Sequence, residues 1–158
     1  MTTSITKPFA RSVTPFLWFD TAAEEAARAY TSLFADSRVV EVARAGDRVQ
    51  SATIVLAGQR YILFNGGPHL ALGAAFSLMV QVDTQEELDA IWDALLAGGK
   101  PSRCGWLVDR FGVSWQVVPA ILPGLLGDAD ASKAKRALDA MLGMQKLDIA
   151  ALKRAHAG

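Results

Sequence analysis

The chain has 158 residues, 51% of them apolar, with sixteen basic residues cancelled by sixteen acidic ones and a single cysteine. That length builds one domain, residues 1–158, without disulfide or metal staples. Zero net charge leaves no broad field for nucleic acid or an anionic membrane, and one cysteine excludes an intramolecular disulfide and suits a reducing cytoplasm.

The opening MTTSITKPFARS lacks the apolar stretch of a secretion leader, and no apolar run approaches the roughly 18 residues a membrane span needs. The expected location is cytoplasmic, with neither membrane nor nucleic acid as partner. FLWFDTAAEEAARAYTSLF then reads as a short strand, a turn at Asp20 and Thr21, and a helix. Thr21 followed by Glu24 is the spacing of a capping box, in which hydroxyl and carboxylate satisfy free backbone donors at a helix start. RVVEVAR, VQSATIVLA and RYILFN, separated by AGD and by Gly58/Gln59, predict three strands in a meander. GGPHLALGAA, residues 66–75, has the glycine and proline of a linker.

LMVQVDTQEELDAIWDALL repeats the opening pattern without a gap, Asp83, Thr84 and Glu87 standing 63 residues after Asp20, Thr21 and Glu24. Leu88, Ile91, Trp92, Leu95 and Leu96 form one apolar helix stripe, stopped by Gly98 and Gly99. A short strand at 100–102, then GWLVD, a turn at Asp109 and Gly112, and VSWQVVP complete a second strand-helix-three-strand unit. Residues 13–65 and 76–119 are thus two βαβββ modules. From Gly127 the character changes: ASKAKRALDAMLGM and LDIAALKRAHA predict two amphipathic helices, an appendage over 127–157 that packs on the body or on a second subunit.

Two consecutive βαβββ modules resemble the vicinal oxygen chelate superfamily, which includes glyoxalase, bleomycin-resistance and dioxygenase folds. The wording TPFLWFD, FNGGP, QEELD, WDALLAGG, CGWLVDRFGVSWQVVP and MQKLDIAAL resembles its PhnB-like family, also described as 3-demethylubiquinone-9 3-methyltransferase, over residues 13–155. The resemblance implies an α+β fold with eight strands in two half-barrels, each curled around a cup, and a homodimer. In metal-binding members the ligands come from the first and last strands of each module. Those positions fall here on Thr14, Tyr61, Ser77 and Gln116, none a histidine or carboxylate. Hydroxyls, a phenol and a neutral amide are weak ligands for such divalent metals, so no metal and no cofactor are expected. A doubly wound methyl-donor site would need a glycine-rich turn after the first strand. DTAAEE has none, and the methyltransferase label is read as lineage rather than catalysis.

Strand alternation from those positions places Thr14, Phe16 and Trp18, Tyr61, Leu63 and Asn65, Ser77, Met79 and Gln81, and Ser114, Gln116 and Val118 in the cups. Such a neutral, aromatic lining suits a small, largely apolar ligand held by a few polar contacts; the competing expectation is a filled core with internally satisfied polar groups. Gln116 is the leading candidate. Cys104 has Arg103 beside it but no local histidine to make a thiolate, and reads as packing. Trp92, Trp106 and Trp115 read as core or interface, FNGGP as a turn, and Glu24, Glu25, Glu86 and Glu87 as helix-start charges. Lys133, Lys135 and Arg136 make a solvated helix face. His156 complements the last helix end, and His69 lies in the linker.

The expected function is binding or transformation of an unknown small organic molecule, with no catalytic residue assigned. Two alternatives stand: a metal-dependent dioxygenase, isomerase or lyase of the same superfamily, and a non-catalytic sequestering protein.

Overall fold

A computed structural model describes residues 12–158; the leader reading falls largely on residues 1–11, outside those described. The chain divides between His69 and Leu70 into two compact units. Each carries one mixed four-stranded sheet, and no closed barrel forms among the described residues.

The first unit runs β1 (Phe16–Phe19), α1 (Ala23–Leu33), β2 (Arg38–Ala45), β3 (Arg48–Leu56) and β4 (Gln59–Asn65), in sheet order β1-β4-β3-β2. β1 lies parallel to β4 and the other pairs are antiparallel. Alternation sends Leu17, Phe19, Ala52, Ile54, Leu56 and Leu63 to one face, all at most 7% exposed. α1 seals that face with Ala23, Ala26, Ala27 and Tyr30, its small alanines allowing close approach. Each fully buried large apolar side chain contributes about 1.5–3 kcal/mol.

The first expected capping box does not form. α1 starts after Ala22, one residue too late for Thr21 to cap it, and no side chain of its own caps it. Asn65 at the end of β4 takes over: its Oδ1 accepts from the Ala23 amide at 2.8 Å while its Nδ2 donates to the Val49 carbonyl at 3.1 Å. Glu24 turns instead to Arg28 and Arg44, at 2.8 and 2.6 Å.

The second unit runs β5 (Ser77–Val82), α2 (Gln85–Leu96), β6 (Lys100–Pro101), β7 (Trp106–Val108) and β8 (Ser114–Pro119), in order β5-β8-β7-β6 with β5 parallel to β8. Here the box is complete: Thr84 Oγ1 accepts from the Glu87 amide at 3.2 Å and the Glu87 carboxylate accepts from the Thr84 amide at 3.3 Å. Leu88, Trp92 and Leu95 of the stripe are buried. The β7–β8 turn centres on Asp109, only 5% exposed. Its Oδ1 accepts from the amides of Phe111 and Val113, and its Oδ2 accepts from the Trp115 indole at 2.8 Å. Gly112, at φ +87°, supplies the left-handed residue that closes the turn.

Three helices follow: α3 (Leu122–Leu126), which the sequence did not signal, α4 (Ala131–Leu142) and α5 (Ile149–Ala157). The segment between α4 and α5 fastens them to their own unit. The amides of Cys104 and Gly105 donate to the carbonyls of Met144 and Gln145 at 2.8 and 2.7 Å. Gln85 brackets the other end, donating to the Leu147 carbonyl and accepting from the Ile149 amide. The Gln85 amide also donates to Asp89 at 3.0 Å, and Lys146 reaches the same carboxylate at 3.0 Å; the Gln85 bond first and Lys146 second hold the Asp89 carboxyl below its ordinary value, and Asp89 raises the Lys146 ammonium. Leu147, Ile149 and Leu152 are buried.

Replacing Asp109 by alanine leaves two amides and an indole N–H without their acceptor in a buried turn. We expect a loss of about 3 kcal/mol of unfolding free energy in urea titrations; a loss below about 1 kcal/mol would refute this role for the carboxylate.

Candidate functional site

With one face of each sheet sealed by its helix, the side chains on the other face form the candidate surfaces. In the first unit, register sets them in rows across the sheet. Phe16 lies beside Ile62, Thr53 and Glu41, and Trp18 beside Phe64, Ser51 and Ala43. Phe64 packs against both aromatic neighbours, its ring centroid 5.4 Å from Phe16 and 5.2 Å, edge on, from Trp18. Trp18 is fixed at its far end, where its indole N–H donates to the Gly67 carbonyl at 2.9 Å. Gly66 lies flat against that ring: a Cβ there would sit 2.0 Å from the indole. The glycines of FNGGP therefore serve the tryptophan.

Two expected site residues do not belong to this surface. Tyr61 pairs across the sheet with buried Ile54, and Asn65 with buried Phe19, so both point to the α1 side together with Leu63. β4 is one residue out of the phase read from the sequence, which exchanges its faces. Asn65 caps α1, and burial pushes the Tyr61 phenol above its ordinary value, opposing the phenolate a metal would need. Phe64 and Ile62 occupy the open face instead. Thr14 precedes β1 and is partly buried.

In the second unit Ser77, Met79, Ser114 and Gln116 do share one face: Ser77 pairs with Ser114 and Met79 with Gln116. The Gln116 amide donates to Ser77 Oγ at 2.9 Å. Ser114 is 3% exposed, so the open part of this face is Ser77, Met79, Gln81 and Gln116. Trp106, read as core or interface, is the cross-strand partner of Gln116 on this same face and is partly buried. Trp115 lies on the other face, 1% exposed. Lys100 joins the open face at the β6 edge through Val108. The charged edges, Glu41 in one unit and Lys100 in the other, escaped sequence reasoning because only the first and last strands of each module were followed.

The donor set does not fit a divalent metal. Ser77 and Gln116 are neutral groups joined by one hydrogen bond, Tyr61 faces the core, and the described residues contain no group of three or more His, Cys, Asp or Glu side chains able to hold an ion. Cys104, at φ +58°, serves the turn that receives the 144–145 segment. His156 pairs with Asp128 at 2.9 Å, while His69 lies near Gly67.

A protein-family model described as 3-demethylubiquinone-9 3-methyltransferase matches residues 11–118. The chain belongs to that family. Among solved structures it is 32% identical to the putative 3-demethylubiquinone-9 3-methyltransferase, PhnB protein, of Bacillus cereus, at TM-score 0.65, with 70% of this chain and 100% of that chain covered. It is 22% identical to protein PA1353 of Pseudomonas aeruginosa, at TM-score 0.56, covering 70% and 98%. No curated protein matches the chain. The family's two βαβββ modules are the vicinal oxygen chelate plan that the sequence resembles. Among the described residues, no helix is long and apolar enough to cross a membrane.

A methyl group at position 66 cannot coexist with the indole where it stands. Gly66→Ala should displace Trp18, seen as a changed near-ultraviolet circular dichroism band and a stability loss of about 1–3 kcal/mol. An unchanged band would show that the tryptophan is not held by this contact.

Proposed function

We propose that this PhnB-like protein binds or transforms a small, largely apolar or aromatic organic molecule on the open sheet faces. The observation that carries the reading is a pair of exposed apolar residues at equivalent positions of the repeat. Phe16 is 56% and Met79 58% exposed, on faces whose opposite sides are sealed by helices. Large apolar side chains left open beside fixed polar groups mark ligand surfaces more often than scattered exposure does. Ser77 and Gln116 supply the polar contacts. With the amide engaged, the Ser77 hydroxyl still has a proton to donate and Gln116 Oε1 still accepts, so the pair can meet a carbonyl and a neighbouring N–H or O–H.

The reading is metal-free, supported by the neutral donor set, and it is not a methyl transfer, since β1 runs into DTAAEE without a glycine-rich phosphate or cofactor turn. Nothing observed favours the metal-dependent dioxygenase, isomerase or lyase reading. The absence of an assigned acid or base beside Ser77 and Gln116 favours sequestering over turnover. We place the protein in the cytoplasm, where its unpaired cysteine stays reduced.

Titrating the protein with small neutral aromatics such as 1-naphthamide should quench tryptophan fluorescence saturably, and Gln116→Leu with Ser77→Ala should weaken binding about tenfold. Stoichiometric divalent metal in the purified protein by elemental analysis, or no saturable binding, would sink the reading. We also propose a homodimer, as the family resemblance implies. Light scattering on the eluting protein should give twice the chain mass of 16.9 kDa, and a monomer mass would refute it.

A further inference from the structure

The open face of the first sheet has a chemical gradient along its strands. One row beyond Phe16 and Ile62, Arg60 on β4 and Arg38 on β2 both pair with Val55 of β3 and therefore stand on the same face. Val55 between them is 9% exposed, while both arginines are exposed. Four arginines are engaged, Arg28 and Arg44 with Glu24, Arg110 over the Phe111 ring, and Arg136 on the carbonyls of Ala155 and His156, whereas Arg48, Arg103 and Arg154, like Arg38 and Arg60, make no side-chain bond among the described residues. Among the described residues neither the Arg38 nor the Arg60 guanidinium makes a hydrogen bond or ion pair.

Successive rows on one face lie two residues apart, about 7 Å along a strand, and neighbouring strands lie about 4.8 Å apart. An aromatic ring resting on Phe16, Ile62 and Phe64 therefore has one row away a guanidinium that is unpaired among the described residues, within the reach of the arginine side chain. Guanidinium prefers planar oxyanions, which it grips through two parallel N–H donors. Glu41, two strands from Ile62, would repel a second negative group placed on that side.

We infer that the open face of the first sheet selects planar aromatic monocarboxylates, with the ring on the Phe16, Ile62, Phe64 and Trp18 shelf and the carboxylate held by Arg60, assisted by Arg38. This rests on the ligand-surface reading above and narrows its substrate class from neutral aromatics to singly charged ones. The shelf supplies affinity by burial, and the arginines supply the discrimination.

The test compares 1-naphthoate with 1-naphthamide, which share a ring and differ in charge, by tryptophan-fluorescence titration of the full chain carrying Ser77→Ala and Gln116→Leu, so that the first sheet alone is read. Naphthoate should bind about tenfold more tightly, and raising the salt should weaken it alone. Arg60→Gln, which keeps most of the side-chain stem, should abolish most of the preference by weakening naphthoate far more than naphthamide. Arg38→Gln with Arg60→Gln should abolish the rest. Equal affinity for the two probes, or a preference that survives the double substitution, overturns the inference and leaves the neutral ligand reading standing. Failure of both probes to bind, in the unsubstituted chain as well, overturns both.

Discussion

Everything on either sheet face follows from one pairing in each unit: the first strand lies parallel to the last. β1 contributes only Phe16–Phe19, yet its bonds to β4 bring residues some 46 positions apart in sequence into the same row. β5 and β8 do the same with Met79 and Gln116. With β1 and β2 at opposite edges of the sheet, the chain between them must cross it, and α1, like α2 between β5 and β6, makes that crossing over one face. Once α1 and α2 have taken the side of Leu17, Leu63, Leu107 and Val117, alternation leaves Phe16, Trp18, Met79 and Gln116 on the other. The open surfaces are consequences of strand pairing before they are sites.

Much of this was legible because the determinants are local. The 63-residue repeat of Asp and Thr, the alternating apolar runs and the glycines at turns are signals that a strand-helix-meander leaves directly in the sequence. What failed shows where local signals end. RYILFN has apolar residues on both faces, so its periodicity does not say whether Leu63 or Phe64 faces the helix; only the register against β1 decides. A slip of one residue then carried Tyr61 and Asn65 to the wrong side. The first capping box failed for a related reason. Thr21 has the right spacing to Glu24, but Asn65 arrives from another strand to satisfy the helix start, and a tertiary bond displaced a local one.

The appended helices illustrate a third kind of blindness. Their amphipathic patterns were readable, but what anchors the segment between them is largely backbone: carbonyls of Met144, Gln145 and Leu147 and the amide of Ile149. Backbone groups are the same for every residue, so no composition announces them. The side chains that complete the attachment, Gln85 and Lys146, look like ordinary surface residues. Gln85 behaves as a short piece of strand, offering donor and acceptor to two residues of a passing chain.

The bond between Gln116 and Ser77 also bears on how far this surface stands from metal chemistry. Oxygen ligands around a small divalent ion sit roughly 3 Å from one another, and these two side-chain atoms are 2.9 Å apart. An amide nitrogen and a hydroxyl at that spacing share a proton between them, so the bond closes the gap that a cation would have to occupy.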